Sequence, residues 1–189
     1  MKRLILLVAA LFALSACNPI VVGDSISNMS RSNITTHSTN AKVNAADGRG
    51  AYNAGANGQP GTGLQAIQTE TANVPVGGWL VVEIGSNNMD FNADQRAWFI
   101  MQVVGVVPDN KCLAWVTPYL AFQQGQTDAW AASILQYVPN QPCNAIIRWD
   151  LTIAAHPEYL FDFAHPNEVG REVLACLIGQ ATNTATACG

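Results

Sequence analysis

Charged residues are scarce in this sequence, and positive charge is the scarcer kind. They make up 12% of the 189 residues, with 9 Lys and Arg against 13 Asp and Glu, and the formal net charge is −4. Binding to a nucleic-acid backbone usually requires a basic patch, for which the chain has little material. We therefore expect no nucleic acid among its partners.

Long apolar runs and metal-binding patterns are absent as well. No stretch approaches the roughly 20 apolar residues that span a bilayer, and no C-x-x-C motif or Cys/His cluster has zinc spacing. What the chain does have is 49% hydrophobic residues, enough for one sizeable core. The composition predicts one globular domain rather than a disordered chain, with no metal or other cofactor.

The N-terminus has the pattern of a signal peptide. Lys2 and Arg3 precede an apolar and small-residue run over residues 4–14, which is too short for a stable membrane helix. Residues 14–17 read Leu-Ser-Ala-Cys and resemble the lipobox of bacterial lipoproteins, in which the cysteine is lipidated and becomes the mature N-terminus. A plain secretory signal with a chance cysteine at position 17 is the alternative.

Lipidation of Cys17 would divide the chain into a signal peptide over residues 1–16 and a single domain over residues 17–189. A diacylated cysteine anchors a protein stably, so we expect an extracytoplasmic protein held at a bacterial membrane, in the periplasm or at the cell surface. Without Lys2 and Arg3 the net charge becomes −6. Anchoring to the membrane would therefore depend on lipid rather than on charge. We also expect the protein to be a monomer.

The four other cysteines form an even set in a compartment where disulfides persist. Three pairings are possible. We favour Cys112 with Cys143, because each opens a strand-like run, and Cys176 with Cys188, because that bond would tie a C-terminal tail to its helix. Buried free thiols are the alternative.

Strand-like and helix-like segments alternate along the chain, which predicts a parallel sheet covered by helices on both sides. The patterns of buried strands are Pro19 to Val22, Trp79 to Ile84, Leu113 to Thr117 and Ala145 to Trp149. The helical patterns are Gly63 to Ala72, Ala93 to Val107, Thr127 to Val138 and Pro166 to about Gln180. The polar segment from Ser25 to Thr62 is expected to be a long functional loop, with a short strand around Ala51 to Asn53.

Two polar motifs lie where functional residues are expected, at the carboxyl ends of strands. Gly23-Asp24-Ser25 follows the first strand, where a tight turn would expose the serine hydroxyl. Asp162 precedes His165 by three residues, a spacing at which a carboxylate can orient an imidazole. Serine, aspartate, histidine is one of the chain orders in which a hydrolytic triad occurs.

Two further blocks complete a pattern: Asn-Ala-Gly-Ala-Asn-Gly at residues 53–58 and Gly-Ser-Asn-Asn at residues 85–88. Together the four blocks resemble the SGNH (GDSL-type) hydrolase family, and the match runs from Ile20 to about Leu177. The resemblance implies a flavodoxin-like three-layer αβα sandwich with about five parallel strands. The C-terminal part also resembles SGNH domains attached to membrane acyltransferases, which act on O-acyl groups of cell-envelope glycans.

The resemblance assigns a role to each matched residue. Ser25 corresponds to the nucleophile, His165 to the general base and Asp162 to the residue that orients the histidine. The oxyanion hole would comprise the backbone N–H groups of Ser25 and Gly58 and the side-chain amide of Asn87. One position departs from the family, because Asn stands at position 88 where aspartate is common.

Some of these assignments have rivals in the sequence. Gly55 competes with Gly58 for the oxyanion role, and Asp150, which also follows a strand, competes with Asp162 for the triad. The remaining polar residues near these blocks are expected to be structural or solvated: Asp24, His37 and His156. A G-x-G-x-x-A stretch at residues 61–66 fits the dinucleotide fingerprint in letters alone, because no buried strand runs directly into it.

The signal-peptide pattern and the resemblance together imply an extracytoplasmic serine esterase that acts on carboxylic esters, and the resemblance adds O-acetyl groups on cell-envelope glycans to the expected substrates. Acylated glycan or lipid is the expected partner, together with the membrane through Cys17. An O-acyltransferase would use the same residues if a sugar hydroxyl intercepted the acyl-enzyme. A catalytically silent glycan-binding lipoprotein on the same scaffold is the alternative from another class.

Overall fold

A five-stranded parallel sheet organises the part of the chain that the computed structural model describes, residues 18–38 and 40–184. The order across the sheet is β2-β1-β3-β4-β5. The strands are β1 (Ile20–Gly23), β2 (Lys42–Ala45), β3 (Trp79–Glu83), β4 (Cys112–Val116) and β5 (Asn144–Ile147). Because β1 lies between β2 and β3, the strand order reverses there, and α/β sheets bind ligands at such a switch point.

Helices cover both faces of the sheet. One face carries α3 (Gly63–Asn73), α4 (Ala93–Val106) and α5 (Gln124–Tyr137), and the other carries α1 (Ser25–Met29), α2 (Arg31–His37), α6 (Trp149–Ala155) and α7 (Glu168–Ala181). Short 3₁₀ helices span Ser86–Asn88 and Pro157–Tyr159. The predicted three-layer αβα sandwich is confirmed.

The alternation of side chains along the strands builds two cores. Val22 of β1 points to the first face, where Phe99 and Trp115 are fully buried, whereas the neighbouring Val21 points to the second face, with Trp149. Buried strands of this kind carry apolar side chains on both faces. Both faces of the sheet are therefore packed against helices close to the strand ends that carry the polar motifs.

The segment from Ser25 to Thr62, predicted to be a long loop, instead holds α1, α2 and β2 before an irregular stretch begins. The prediction of a short strand around Ala51 to Asn53 is wrong, because the strand in this segment is β2, which ends at Ala45. Helices rich in Ser, Asn and Thr have weak intrinsic propensity, and these two form because Ile26 and Ile34 are buried against the sheet. Tertiary packing overrides the local signal.

The disulfide predicted between Cys112 and Cys143 is present, with the two Cα atoms 4.8 Å apart. It joins the first residue of β4 to the residue before β5. Cys17 and Cys188 lie outside the described residues, so lipidation and the second pairing stay predictions. Within residues 18–38 and 40–184, no helix has the length and apolarity needed to cross a bilayer.

Candidate active site

Ser25 is the first residue of α1, and one residue, Asp24, separates it from the end of β1. Asp24 caps this helix, since its Oδ1 accepts a hydrogen bond from the N–H of Ile26 at 2.9 Å. A Cβ on Gly23 would lie 2.3 Å from Ser27 Oγ, so the turn admits no side chain there. The sharp strand-to-helix turn holds the Ser25 hydroxyl at the carboxyl end of the sheet.

A chain of hydrogen bonds links Ser25, His165 and Asp162. Ser25 Oγ lies 3.0 Å from His165 Nε2, and His165 Nδ1 lies 2.8 Å from Asp162 Oδ2. The second oxygen of Asp162 accepts the backbone N–H groups of Ala164 and His165, each at 2.7 Å. The structure thus brings together the three residues that the sequence singled out, from positions up to 140 residues apart.

The environment of Asp162 keeps its carboxylate charged. Partial burial alone would raise its pKa, but hydrogen bonds from the backbone of His165 and Ala164 and from the His165 ring hold the pKa below the ordinary value. An ionised Asp162 accepts the Nδ1–H of the imidazole and leaves Nε2 free to accept a proton from Ser25. This arrangement suits a general base.

Asp150, the rival carboxylate, has other partners. Its Oδ1 accepts the hydroxyl of Thr117 at 2.6 Å, and its Oδ2 lies 2.6 Å from Arg148 Nη2. Burial would raise the pKa of Asp150, yet Arg148 and Thr117 lower it. Because both of its oxygens are engaged in this way, Asp150 serves the packing of α6 against β4, and Asp162 is the carboxylate that contacts His165.

Asn87 lies beside the turn that carries Ser25. Gly85, with a φ of +150°, lets the chain turn out of β3 into the 3₁₀ helix that carries Asn87. The Asn87 Nδ2 atom donates to Asp24 Oδ2 at 3.1 Å and to the carbonyl of Arg49 at 3.2 Å. Both N–H groups of the amide have acceptors in the free protein, so an oxyanion would have to share one of them.

Gly58 packs tightly against the end of β2. A Cβ at this position would lie 2.2 Å from the carbonyl oxygen of Ala45, while one on Gly55 would lie 2.6 Å from that of Asp47. Neither position therefore has room for a side chain. The main-chain atom that touches Asn87 belongs to Arg49, and the assignment of Gly58 rather than Gly55 as an oxyanion donor stays a prediction.

Asn88 has a structural role that fits its departure from the family pattern. Its side-chain oxygen accepts the backbone N–H of Ala51 at 2.6 Å, and its backbone carbonyl accepts the Trp130 indole N–H at 3.0 Å. A Cβ on Gly50 would lie 2.9 Å from that same side-chain oxygen. An amide oxygen serves this buried acceptor role without adding charge.

Glu83 is a residue that the sequence analysis did not assign to the site. It is the last residue of β3 and is buried, and its Oε2 accepts the N–H of Asp24 at 3.2 Å, the N–H of Ser27 at 3.3 Å and the hydroxyl of Ser27 at 3.0 Å. Burial raises the pKa of Glu83, and the nearby Asp24 carboxylate raises it further. Its signal in the sequence is one acidic residue within an otherwise apolar strand.

Arg49 is a second residue that the sequence analysis passed over. Its side chain is fully buried, and its Nη1 donates to the carbonyl oxygens of Asn44 at 2.8 Å and of Gly23 at 3.3 Å. It therefore ties the loop after β2 to the end of β1. In the sequence, the feature that could have indicated its role is a long, positively charged side chain within a segment of small residues.

The remaining polar residues have partners of their own, and His37, which was expected in a solvated loop, instead lies in α2. Asp24 is buried within the turn, where its Oδ2 also accepts the hydroxyl of Ser86. His37 contacts Glu172, with 2.5 Å between Nε2 and Oε1. His156 contacts Glu158 at 3.0 Å and stacks on Tyr159. Each of these two histidines therefore contacts a glutamate, Glu172 or Glu158, and not a residue of the candidate site.

No profile of a known protein family matches the sequence, and no curated protein matches it. Solved structures do match. The C-terminal catalytic domain of peptidoglycan O-acetyltransferase A from Streptococcus pneumoniae superposes with a TM-score of 0.72 at 20% identity, over 89% of this chain and 93% of that one. A lipolytic protein of the G-D-S-L family from Veillonella parvula has a TM-score of 0.64 at 10% identity, over 86% and 96%.

An acetylxylan esterase from Geobacillus stearothermophilus matches as well, with a TM-score of 0.61 at 11% identity, over 87% of this chain and 93% of the esterase. At such low identities the likeness shows the fold. The resemblance to the SGNH (GDSL-type) hydrolases that the sequence predicted is thereby confirmed at the level of the fold.

Proposed function

We propose that this protein, which has the fold of the SGNH hydrolases, is an extracytoplasmic serine esterase that cleaves carboxylic esters through Ser25, His165 and Asp162. The hydrogen-bonded chain from Ser25 Oγ through His165 to Asp162 is the observation that carries the proposal. Nucleophile, base and orienting carboxylate at hydrogen-bond distance are the geometric signature of this chemistry.

The proposed reaction begins when Ser25 Oγ attacks the ester carbonyl and His165 Nε2 takes the hydroxyl proton. Asp162 stabilises the imidazolium that forms. Donors from the N–H groups of Ser25 and Gly58 and from the Asn87 amide would bind the oxyanion, each typically worth about 2.7–4 kcal/mol. His165 then returns the proton to the alcohol oxygen as the C–O bond breaks, leaving an acyl-enzyme on Ser25.

A water molecule would complete the cycle. His165 removes a proton from the water as it attacks the acyl carbonyl, and the collapse of the second tetrahedral intermediate returns that proton to Ser25 Oγ with release of a carboxylic acid. If a sugar hydroxyl attacked in place of water, the same residues would carry out acyl transfer. The likeness to an O-acetyltransferase domain favours this as the second candidate function.

The proposed substrates are O-acetyl groups on cell-envelope glycans. Two of the similar structures are an acetylxylan esterase and a domain of a peptidoglycan O-acetyltransferase, so both are named for acetylated polysaccharides. The lipobox-like sequence ending at Cys17 supports a location at the outer side of a bacterial membrane, where such glycans occur.

Labelling with a fluorophosphonate probe tests the proposal directly, because the probe reacts with an activated serine. We expect the folded protein to be labelled and to hydrolyse a short-chain aryl ester, and Ser25→Ala to lose both activities. Ser32→Ala is the matched control, since Ser32 is an exposed serine on α2, and it should retain both. An unlabelled wild-type protein would instead support a silent glycan-binding lipoprotein.

The products distinguish the two candidate reactions. With an acetyl ester and an oligosaccharide acceptor present, an esterase releases acetate at a rate that the acceptor does not change. A transferase converts the acceptor into its acetylated form. Mass spectrometry detects this product by a mass increase of about 42 Da, because an acetyl group replaces a hydrogen atom.

A further inference from the structure

Three phenylalanines are exposed beside the hydrogen-bonded chain of Ser25, His165 and Asp162. The exposed fractions are 87% for Phe122, 59% for Phe161 and 51% for Phe163. The rings of Phe122 and Phe163 are 6.1 Å apart, and the N–H of Ala121 donates to the carbonyl of Phe163 at 2.9 Å, which joins the two loops. We call these three residues the aromatic strip.

The strip reaches the catalytic histidine itself. The ring of Phe161 stacks on the imidazole of His165, with the centroids 5.8 Å apart and the planes 18° from parallel. Phe161 and Phe163 also flank Asp162 in the sequence. Single exposed apolar residues need no explanation, but a cluster of large aromatic rings next to reactive groups marks a binding surface.

The chemistry of the proposed reaction decides which part of the substrate lies on this surface. His165 must return its proton to the oxygen of the departing alcohol, so the alcohol has to lie on the imidazole side of Ser25. The carbonyl oxygen has to lie on the side of the Asn87 amide. Because Phe161 stacks on the imidazole, the aromatic strip begins where the alcohol part of the ester must be.

The aromatic strip lies at the end of the sheet opposite to the N-terminal end of β1. Ser25 and His165 lie at the carboxyl end of β1, whereas Asn18 lies two residues before Ile20, at the opposite end of that strand. A lipid on Cys17 would therefore attach at the edge of the sheet opposite to the strip. Insertion of the three rings into the same membrane is disfavoured by this geometry.

We propose that the aromatic strip is a subsite for the alcohol part of the substrate and that it stacks against the pyranose rings of an O-acylated polysaccharide. The C–H face of a pyranose ring is apolar, and contact with a flat aromatic ring removes apolar surface of both from water. Open, largely exposed rings suit a polymer that extends beyond the site. This inference rests on the proposed esterase function.

The test compares two substrates that share the acetyl group and differ in the alcohol: O-acetylated xylohexaose and ethyl acetate. The measured quantity is the ratio of kcat/KM for the oligosaccharide to kcat/KM for ethyl acetate. In Phe122→Ala and Phe163→Ala we expect this ratio to fall at least 10-fold, because KM for the oligosaccharide rises. Trp98→Ala is the matched control, because Trp98 is 61% exposed on α4, and it should leave the ratio unchanged. Thermal unfolding would verify that each variant is folded.

Two further substitutions distinguish stacking from simple apolar contact. Phe122→Trp keeps a flat ring and should preserve the ratio, whereas Phe122→Leu keeps the apolarity without the ring and should lower it. A ratio that is unchanged in Phe122→Ala and Phe163→Ala would overturn the inference. So would a selective loss of activity on ethyl octanoate, which indicates an acyl-chain site, or weaker binding to phosphatidylglycerol vesicles, which indicates a membrane contact.

Failure of this inference is separable from failure of the proposed function. If Ser25 is labelled by the fluorophosphonate and ethyl acetate is hydrolysed while the phenylalanine variants match the wild type, only the subsite is refuted. If Ser25→Ala retains full turnover, the esterase proposal falls first, and the subsite with it.

Discussion

The backbone N–H of Asp24 donates a hydrogen bond to Glu83 Oε2, at a distance of 3.2 Å, next to the turn that carries Ser25. The same oxygen also accepts both the N–H and the hydroxyl of Ser27. One buried carboxyl group therefore holds the end of β1 and the first turn of α1 together. A residue of the neighbouring strand thus fixes the backbone on either side of Ser25.

Glu83→Gln should change how stability depends on pH. Burial raises the pKa of Glu83 above its ordinary value of 4.5, so the folded protein holds this proton more tightly than the unfolded chain does. The stabilisation is complete below pH 4.5 and is lost as the pH rises through the folded-state pKa. Glutamine keeps an acceptor oxygen and does not ionise, so the variant should gain Tm relative to the wild type as the pH rises from 5 to 8.

The size of this effect follows from linkage. A tenfold change in proton affinity corresponds to about 1.4 kcal/mol, or roughly 3–6 °C of Tm for a domain of this size. Glu70→Gln is the control of opposite sign. Burial alone would raise the pKa of Glu70, but hydrogen bonds from Lys42, Asn44 and Asn73 lower it. Because the folded-state pKa lies below 4.5, that variant should lose Tm relative to the wild type as the pH rises towards 4.5 and keep a constant difference above it. A Tm difference between Glu83→Gln and the wild type that does not change between pH 5 and 8 would contradict the prediction.

The two rival carboxylates should separate catalysis from stability. Asp162→Asn should lower kcat by about 10⁴-fold, because the imidazole loses the partner that fixes its tautomer. Asp150→Asn should leave kcat intact while costing about 1–3 kcal/mol of stability, because it weakens the contacts of Asp150 with Thr117 and Arg148. Ester hydrolysis below the Tm and thermal unfolding measure the two effects, and the reverse pattern would reassign the triad.

The neighbouring asparagines should differ in the same manner. Asn87→Ala should lower kcat by about 10²–10³-fold with little effect on KM, as expected for a donor that acts in the transition state. Asn88→Ala should instead cost about 1–3 kcal/mol of stability, because the N–H of Ala51 loses its buried acceptor. Asn88→Asp restores an acceptor oxygen and should recover part of that loss. A normal kcat in Asn87→Ala would remove it from the oxyanion hole.

Membrane attachment should depend on Cys17. In the bacterial host we expect the wild-type protein in the detergent phase after Triton X-114 partition and Cys17→Ala in the aqueous phase or as an uncleaved precursor, since lipid is the proposed anchor. Cys112→Ala is the control, because Cys112 is bonded to Cys143 and should not affect partition. Mass spectrometry of the N-terminal peptide would identify the acyl groups, and an unmodified Cys17 would indicate a plain secretory signal.

Predictions from the sequence succeeded where a local pattern carries the information. The apolar runs located β1, β3, β4 and β5 to within about two residues, and Thr62 begins α3 with a capping box close to the predicted start. The prediction was wrong for β2 because Lys42–Ala45 is a short strand in a polar segment, with few apolar residues to reveal it. Trp149 was expected to end a strand, yet it begins α6.

Local patterns along the chain were enough to predict the α/β alternation, the turn after β1 that carries Ser25, and the order of serine, aspartate and histidine. These depend on residues close together in the chain, where side-chain periodicity and turn chemistry act. Three relations became visible only in the folded chain: His165 pairs with Asp162 rather than Asp150, Glu83 of β3 bonds the turn that carries Ser25, and Phe161 stacks on the His165 ring. Such relations join residues up to 140 positions apart, and they arise only when the strand ends and loops meet at one edge of the sheet.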